Sequence, residues 1–521
     1  MSRSTEATAS AAGGVVGGDA TVPGLAVVVM AAGLGKRMKS KHPKVLHAVA
    51  GRAMVMYSID VGVRVAGHRV AVVVGHHADR VRQAIEAAVP LRDGRAAVAI
   101  VEQREQLGTG HAVLQTRPVF NVTGQSAPAC YLILNGDTPL LREETVRRLL
   151  QMHQQERATV TILTAKLEDP SGYGRVVRQS AGGPVSRIVE DRDAGPAEKV
   201  IREINAGTYV VDGGFLFAAL DRLDPTNAQG EYYLTDILQT AVAQGRRVCA
   251  VTLDDPDEGL GVNSRRQLAE AELVLRRQIR EHWLDAGVTM IDPGSTWIDA
   301  GVSIGKDTVL HPNVMLAGRT VLGEDCVVHA FTRLTDCTVG HGVEILGHCV
   351  FREARIDDHA VLGPFAHLRP GAIVRRKAKV GNFVEMKQAE LGEGSKANHL
   401  TYLGDARIGK GVNIGAGTIT VNYDGVNKHQ TVIEDNVAVG SDTQLIAPVT
   451  VGAGAIIAAG TTVTEDVPSD ALVIARVPQV NRAGWAARRR ALLTSPQDAG
   501  STLPAKTSKP RPPASRAKRR R

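Results

Sequence analysis

A glycine turn with cations close behind it is the first feature of the sequence that could carry chemistry. Residues 31–38 read Ala-Ala-Gly-Leu-Gly-Lys-Arg-Met and directly follow a continuous apolar run. The backbone N–H groups of such a turn, around Gly33, can approach a triphosphate at a strand end. Arg37 and Lys44 then supply positive charge for the phosphates. The pattern indicates a nucleotide site.

The turn matches neither of two better-known phosphate loops. A Walker A loop needs a glycine where Met30 stands and Ser or Thr where Arg37 stands. A dinucleotide-binding fingerprint needs a third glycine at the position of Met38. The turn alone therefore identifies no class of nucleotide-binding protein.

An acid at the end of a later apolar run is the second candidate. Residues 131–134 are apolar and lead into Asn135 and, two positions on, Asp137. In open α/β sheets, ligands bind beyond the carboxyl ends of the strands. Asp137 is thus a candidate ligand-facing group, and the alternative is a solvated acid in a turn.

An α/β domain is the structure that must position these groups. Continuous apolar runs, as expected of buried parallel strands, lie at residues 25–30, 70–74, 98–101 and 131–134. Helical stretches lie between them, at 79–89 and 143–155. The alternation predicts a Rossmann-like α/β N-terminal domain with a mixed, mostly parallel sheet.

A six-residue period marks the second half of the chain. The positions six apart, all aliphatic, are Ile433, Val439, Leu445, Val451, Ile457 and Val463. In a β-helix of such repeats the aliphatic side chains point inward and stack on the next coil. A chance Val- and Gly-rich all-β region is the alternative, which six consecutive matches disfavour. We predict a C-terminal left-handed parallel β-helix of hexapeptide repeats.

Two segments interrupt or join these regular parts. The period fails between Thr420 and Ile433, so residues 421–430 must leave the coil, and loops of this kind often carry function. Residues 264–286 show apolar residues at helical spacing among Arg and Glu, which predicts one long helix between the two halves. Ser264 or Asn263 can cap its start.

Charge and cysteine content narrow the classes of function. Residues 501–521 hold eight cations and no acid, which equals the formal net charge of +8, so the remaining chain is neutral. The five cysteines are odd in number and form no C-x-x-C pair, which favours reduced thiols in a cytoplasm over disulfides or a zinc site. No apolar run reaches the roughly 20 residues that span a bilayer. Residues 1–22 lack the apolar core of a signal peptide.

A series of ordered motifs resembles one enzyme family. They lie at residues 31–38, 43–46, 106–111, 134–137, 172–175, 188–190, 203–207 and 261–263, and then at 368–371, 382–387, 399–402, 422–425 and 476–479. Together they resemble the sugar-nucleotide pyrophosphorylases. Within that group they are most similar to the bacterial bifunctional N-acetylglucosamine-1-phosphate uridyltransferase/glucosamine-1-phosphate N-acetyltransferases. The resemblance runs from Leu25 to Gly484.

The resemblance implies a uridylyl-transfer site in the first half. Asp137 and Asn263 would hold Mg²⁺, a hard cation that takes few protein oxygens and completes its shell with phosphate and water. The residues that would bind UTP and the sugar are Gly33, Arg37, Lys44, Gln103, Gly108, Thr109, Gly174, Glu190, Asn205 and Asn263. Among them, Gln103, Gly108 and Thr109 would read the uracil. A sugar-phosphate oxygen would attack the α-phosphate in line, and pyrophosphate would leave.

The resemblance also implies an acetyl-transfer site in the second half. His399 would act as general base on the amine of glucosamine 1-phosphate, a task that suits imidazole, and the freed amine would attack the thioester of acetyl-CoA. Taken alone, a histidine in a coil turn is more often structural than catalytic. The sugar phosphate would be bound by Arg369, Lys387, Tyr402 and Asn413. Acetyl-CoA would contact Asn422, Tyr423, Ser441, Ala459 and Arg476, with Asn422 also reaching the sugar phosphate.

The implied protein makes UDP-N-acetylglucosamine for cell-wall precursors from glucosamine 1-phosphate, with acetyl-CoA and UTP as co-substrates and N-acetylglucosamine 1-phosphate as intermediate. Because solenoids of the family associate as trimers, we expect a cytoplasmic homotrimer without a membrane span. The expected division is a disordered extension (1–22), a pyrophosphorylase domain (23–265), a linker helix (266–286), an N-acetyltransferase β-helix (287–484) and a basic disordered tail (485–521).

Two rival functions stay open at this point. One is a pyrophosphorylase whose β-helix only oligomerises or regulates it, which His399 and the 421–430 loop argue against. The other is a scaffold or nucleic-acid-binding protein, which the neutral body argues against, so that a nucleic-acid contact is expected at most from the tail. Lys36 and Asn135 depart from the family, where we expect Thr and Tyr, and neither is assigned to the metal or the phosphates.

Overall fold

The computed structural model describes residues 21–89, 91–92, 95–121 and 126–494. The described residues of Met1–Ile474 form one compact unit, and those of Ala475–Arg521 form a second. The predicted disordered extension lies outside the described residues except for its last two positions, and so does the predicted tail beyond residue 494.

Strands and helices alternate in the first part of the chain. The strands are Leu25–Ala31 (β1), Ala48–Val49 (β2), Arg52–Ala53 (β3), Val70–Val74 (β4), Leu91–Arg92 (β5), Arg95–Ala96 (β6), Ala99–Glu102 (β7), Cys130–Asn135 (β8), Val160–Lys166 (β9), Arg175–Arg178 (β10), Val185–Val189 (β11), Glu203–Asp212 (β12) and Val248–Thr252 (β13). The helices are Met54–Ala66 (α1), Ala78–Ala88 (α2), Thr109–Leu114 (α3), Arg117–Phe120 (α4), Glu143–Gln155 (α5), Pro196–Lys199 (α6), Gly213–Leu220 (α7), Asp236–Ala243 (α8) and Arg265–Asp285 (α9).

A mixed sheet forms the centre of this part, in the order β11-β10-β12-β8-β1-β4-β7, with β9 paired to both β12 and β13. β1 pairs in parallel with β4 and β8, and β4 pairs in parallel with β7, whereas β12 runs antiparallel to its neighbours. Alternate residues of β1 enter different apolar clusters, Val27 and Val29 on one face and Ala26 and Val28 on the other. Because both faces are covered, β1 is apolar throughout.

The second part is a stack of parallel coils. Its strands are Thr289–Met290 (β14), Trp297–Ile298 (β15), Ser303–Ile304 (β16), Val309–Leu310 (β17), Met315–Ala317 (β18), Val321–Leu322 (β19), Val327–Val328 (β20), Arg333–Thr335 (β21), Thr338–Val339 (β22), Glu344–Ile345 (β23), Val350–Arg352 (β24), Arg355–Ile356 (β25), Val361–Leu362 (β26), His367–Leu368 (β27), Ile373–Val374 (β28), Lys379–Lys387 (β29), Glu390–Leu391 (β30), Lys396–Gly404 (β31), Ala406–Ile408 (β32), Asn413–Ile414 (β33), Ile419–Val421 (β34), Thr431–Ile433 (β35), Ala438–Val439 (β36), Gln444–Ile446 (β37), Val449–Val451 (β38), Ile456–Ile457 (β39), Thr462–Val463 (β40) and Leu472–Val473 (β41). Each strand pairs in parallel with one from the next coil, as Val309 does with Val327.

The hexapeptide period has the physical cause expected of it. The aliphatic positions from Ile433 to Val463 are all buried, none more than 3% exposed, and they belong to one continuous core inside the coils. Between β34 and β35, residues 422–430 leave the coil, where the sequence predicted an inserted loop. The mixed sheet and the parallel coils confirm the predicted fold class.

The helix α9 lies where the sequence predicted a long helix between the halves. Ser264 caps its start, since its hydroxyl accepts from the backbone N–H of Gln267 at 3.2 Å. Ile279 and Trp283, near its other end, pack against the core of the coils. The helix therefore contacts both parts of the first unit.

The second unit contains a helix, Trp485–Thr494 (α10), which differs from the predicted disordered tail over these residues. Its sequence of Ala, Arg and Leu consists mainly of strong helix formers, and the basic, Pro-rich composition that suggested disorder begins further on. Among the helices of the described ranges, none is long and apolar enough to cross a bilayer.

Candidate active sites

The glycine turn after β1 is packed directly onto Lys44. Gly35 has φ 61°, and a Cβ on it would lie 2.6 Å from the Cβ of Lys44, so only glycine fits there. A Cβ on Gly33, by contrast, would meet no described atom within 4 Å. One side of the turn, at Gly35, thus packs tightly against Lys44. On the other side, at Gly33, the backbone of the turn is open to a cleft.

Lys44, Asp137 and Asn263 converge at the carboxyl edge of the sheet. The Lys44 ammonium contacts Oδ2 of Asp137 and lies 2.9 Å from Oδ1 of Asn263. The backbone N–H of Gly136 donates to the carbonyl of Met30 at 2.8 Å, which ties the ends of β8 and β1 together. The N–H of Val262 donates to the carbonyl of Asp137 at 2.9 Å and brings Asn263 alongside.

The oxygens that surround the Lys44 ammonium suit a hard metal ion. A carboxylate oxygen of Asp137 and an amide oxygen of Asn263 already converge on one positive charge, and both are ligands that Mg²⁺ accepts. Within the described ranges no cluster of three or more His, Cys, Asp or Glu side chains is placed to bind a metal. Few protein ligands are what Mg²⁺ needs when phosphates and water complete its shell.

A cleft of about 340 Å³ lies beside the glycine turn and brings together Gly33, Lys44, Gln103, Gly108, Thr109 and Asp137. Gln103 is buried, and its side-chain amide donates to the carbonyl of Gly108 at 3.0 Å. Gly108 has φ 108°, and a Cβ on it would lie 2.7 Å from the carbonyl oxygen of Tyr232. These contacts fix the shape of the cleft at the end expected to read the uracil.

A second, adjoining cleft of about 210 Å³ is lined by Asp137, Gly174, Glu190, Asn205 and Asn263, together with Tyr209 and Thr235. The side-chain amide of Asn205 donates to the Tyr209 hydroxyl at 2.5 Å, and the Thr235 hydroxyl donates to Glu190 at 3.3 Å. Burial raises the pKa of the Glu190 carboxyl. Sequence reasoning missed Tyr209 and Thr235, because an aromatic residue and a threonine on a strand and near a helix start carry no functional signal.

A third and wider cleft of about 500 Å³ contains Arg37, Lys44, Glu190 and Asn263. It also contains Lys36, one of the two departures from the family pattern. The three clefts share residues around Lys44, Asp137 and Asn263. The structure therefore brings every residue predicted to bind UTP or the sugar to one region.

Asn135, the other departure, contacts the sugar-side cleft directly. A Cβ on Gly207, which has φ 74°, would lie 2.1 Å from Nδ2 of Asn135. Gly207 is thus the residue that makes room for the side chain at position 135. A larger side chain at 135 would have to point elsewhere.

A second candidate site lies on the paired strands β29 and β31. Their register puts Asn382 opposite His399 and Glu385 opposite Tyr402. Nδ1 of the exposed His399 lies 2.8 Å from Oδ1 of Asn382. Because an amide oxygen only accepts, this contact places the imidazole proton on Nδ1 and leaves the Nε2 lone pair for a base.

Three cations, Arg369, Lys387 and Lys428, interact with one another around the strand β29, which pairs with the strand of His399. Arg369, from the neighbouring coil, donates to Glu385 at 2.8 Å. The adjacent Lys428 side chain lowers the pKa of Lys387, and Arg369 acts in the same direction. A group of cations of this kind attracts anions such as phosphate. Lys428 was not predicted individually, although it lies on the inserted loop that the sequence singled out.

The remaining predicted acetyl-transfer residues, apart from Arg476, lie on the next coils or on the inserted loop. The Asn422 amide donates to the carboxylate of Asp405, and Tyr423 is 57% exposed. Asn413, at the start of β33, pairs with the first residue of β31. Ser441 and Ala459 occupy equivalent places on successive coils, since the N–H of Gly460 donates to the Ser441 carbonyl at 2.8 Å. Arg476 belongs to the second unit.

Comparison with known proteins agrees with this two-part arrangement. A family model for nucleotidyl transferases matches residues 26–301, and a model for six bacterial transferase hexapeptide repeats matches 301–336 and 430–465. The chain is 48% identical over 466 residues to a bifunctional protein GlmU from Pelobacter propionicus, a match covering 89% of this chain and 99% of that protein. It is 50% identical over 465 residues to the GlmU of Trichlorobacter lovleyi, covering 89% and 98%.

The chain belongs to the GlmU family. The matches cover 89% of this chain and nearly the whole of both GlmU proteins, and they include both domains. This confirms the function that the motifs implied. The chain is a bifunctional transferase that makes UDP-N-acetylglucosamine in two steps, acetyl transfer and then uridylyl transfer. The comparisons favour this function over the single-activity and scaffold functions.

Proposed function

We propose that uridylyl transfer takes place in the clefts around Lys44 and that acetyl transfer takes place around His399. The convergence of Lys44, Asp137 and Asn263 on one point at the sheet edge carries the first assignment. The contact between His399 and Asn382 carries the second, and the group of cations around Lys387 supports it.

In the first site, the glycine turn and Lys44 hold the triphosphate, with Arg37 in the adjoining wide cleft. Gln103, Gly108 and Thr109 form the end that receives the uracil. Gly174, Glu190 and Asn205 hold the N-acetylated sugar, so that its phosphate faces the α-phosphate of UTP. Such transfers need positioning and charge stabilisation more than a covalent intermediate.

Mg²⁺ is the metal that this oxygen set fits, with Asp137 and Asn263 as its protein ligands. When bound, the metal neutralises charge on the phosphates. The Lys44 ammonium, which contacts the same two side chains, adds positive charge for the phosphates. The carboxylate of Asp137 and the amide of Asn263 keep their positions because the backbone of Val262 is bonded to Asp137.

In the second site, Arg369, Lys387 and Lys428 bind the phosphate of glucosamine 1-phosphate, with Tyr402 and Asn413 beside them. Nε2 of His399 takes a proton from the sugar amine, which then attacks the thioester carbon of acetyl-CoA, and the coenzyme A thiolate leaves. Asn382 keeps the proton on Nδ1. The acetyl donor contacts Asn422, Tyr423, Ser441 and Ala459.

We assign the working form to a homotrimer in the cytoplasm. An exposed aromatic ladder supports self-association: Phe331, His348, Phe365 and Phe383 stack on successive coils with ring centroids 5.0, 5.0 and 5.2 Å apart. The three phenylalanines are 46–56% exposed, and a contiguous apolar stripe of this kind is typical of an interaction surface. We also propose the domain division that the sequence predicts, with α10 as part of its last segment.

Replacing Asp137 tests the first assignment. Asp137→Ala removes the carboxylate at the point of convergence, so pyrophosphate release from UTP and N-acetylglucosamine 1-phosphate should fall by on the order of 100-fold or more. Acetyl transfer should be unchanged. Asp254→Ala, at an exposed acid, is the control. Loss of both activities in a folded protein would contradict separate sites.

Replacing His399 tests the second assignment. His399→Ala should lower acetyl transfer by about 10²- to 10⁴-fold, the usual contribution of a general base, and leave pyrophosphate formation intact. His311→Ala, a histidine of the early coils that stacks on His329, is the control. Acetyl transfer at the normal rate in His399→Ala would show that another group is the base.

The aromatic ladder can be tested by light scattering on a sizing column. The unaltered chain should have the mass of three copies, and Phe331→Glu with Phe365→Glu should dissociate it, because the substitutions place charge in an apolar contact. Leu273→Glu, at an exposed position of α9, should leave the mass unchanged. A one-copy mass for the unaltered chain, or an intact trimer in the double variant, would refute this surface.

A further inference from the structure

A short hairpin connects Lys44 to the first coil of the β-helix. The 3₁₀ turn Lys44–Leu46 leads into β2 and β3, which pair with each other and are joined by Ala50 and Gly51. Both joining residues have positive φ, 45° and 76°, as in hairpin turns that match strand twist. Alanine seldom adopts such a φ, so its surroundings must hold it there.

Groups outside the hairpin hold this turn. The N–H of Ala50 donates to Oε2 of Glu272 on α9 at 2.6 Å, and the Ala50 carbonyl accepts from the N–H of Ala300 at 2.9 Å. Gly51 lies against Asp299, since a Cβ on Gly51 would be 2.2 Å from Oδ2 of Asp299. Both backbone groups of Ala50 are thus bonded to parts of the chain beyond residue 270.

Arg276 fastens α9 to the same coil. Its guanidinium donates to Glu272 at 2.6 Å, to the carbonyl of Ile298 at 2.9 Å and to Asp299 at 3.1 Å. It also lies 4.5 Å from the centroid of the Trp297 ring. Only 8% of the residue is exposed. A guanidinium held by several bonds in a buried place sets geometry more strictly than an exposed ion pair.

The hairpin and α9 also pack against the segment that carries Asn263. Val49 and Met54 pack with Val262 and Ala271 in a small apolar cluster separate from the clusters of the sheet. Val262 precedes Asn263 and is bonded to the Asp137 carbonyl. The hairpin, the helix α9 and the first coil are therefore connected, through these contacts, to Lys44, Asp137 and Asn263.

We propose that the first coil of the β-helix positions Lys44 for uridylyl transfer, with Arg276 and Asp299 as positioning residues that act through the Ala50–Gly51 turn. This inference rests on the proposed role of Lys44 in that reaction. If the turn is loosened, the ammonium loses its fixed place and the rate of uridylyl transfer falls. Acetyl transfer, on later coils, keeps its rate.

Gly51→Ala in the full chain is the test. The added methyl group collides with Asp299, so kcat for uridylyl transfer should fall roughly 10- to 100-fold, the effect of a small misplacement of a charged group, with acetyl transfer unchanged. Gly245→Ala is the matched control, because Gly245 also has positive φ, 66°, but a Cβ there meets no described atom within 4 Å. Arg276→Met, paired with Arg277→Met at an exposed position of the same helix, provides an independent second variant.

A double-mutant cycle separates positioning from general damage. Lys44→Ala alone should lower uridylyl transfer, and if it does not, the proposed role of Lys44 fails. In the Lys44→Ala background, Gly51→Ala and Arg276→Met should cause little further loss, because the group that they position is gone. An equal fold-loss in both backgrounds, or unchanged uridylyl transfer in both single variants, would overturn the inference while leaving the role of Lys44 standing.

Discussion

Parallel strand pairing is the constraint on which both active sites depend. In the sheet, β1 and β8 run side by side, so the glycine turn that follows one meets the acid that follows the other. In the coils, the pairing of β29 with β31 sets Asn382 directly beside His399. In each site, groups far apart in sequence come together because neighbouring strands point the same way.

Much of this arrangement could be predicted from the sequence, since it follows from local patterns. The apolar run of β1, the glycine turn and the strand-end position of Asp137 are all contiguous in sequence. The hexapeptide period from Ile433 to Val463 shows directly which side chains point inward. The loop at 421–430 could be located because a regular period shows any interruption.

What could not be predicted depends on contacts between distant segments. Tyr209 supports Asn205 and Lys428 joins Lys387 only through the fold, and nothing in their residue types announces it. The fit of Gly51 against Asp299 joins positions from the two halves of the chain. The helix α10 was missed for a different reason. The composition of the whole tail outweighed the helix-forming residues at its start.

The two active sites lie on one chain, and the contacts around Arg276 connect the β-helix of one site to the segment that carries Lys44 of the other. The first coil of the β-helix that carries acetyl transfer also holds the Ala50–Gly51 turn, which follows Lys44 in the chain. Each site nevertheless has its own charges, its own cleft and its own chemistry. Both reactions must therefore take place on one protein, and each must depend on its own residues.

Release of free thiol from acetyl-CoA on addition of glucosamine 1-phosphate to the purified chain tests this requirement most directly. We expect thiol release that depends on the sugar phosphate and accompanies UTP-dependent pyrophosphate formation from N-acetylglucosamine 1-phosphate. Pyrophosphate formation without any thiol release would contradict it, because the second half of the chain would then be only a scaffold.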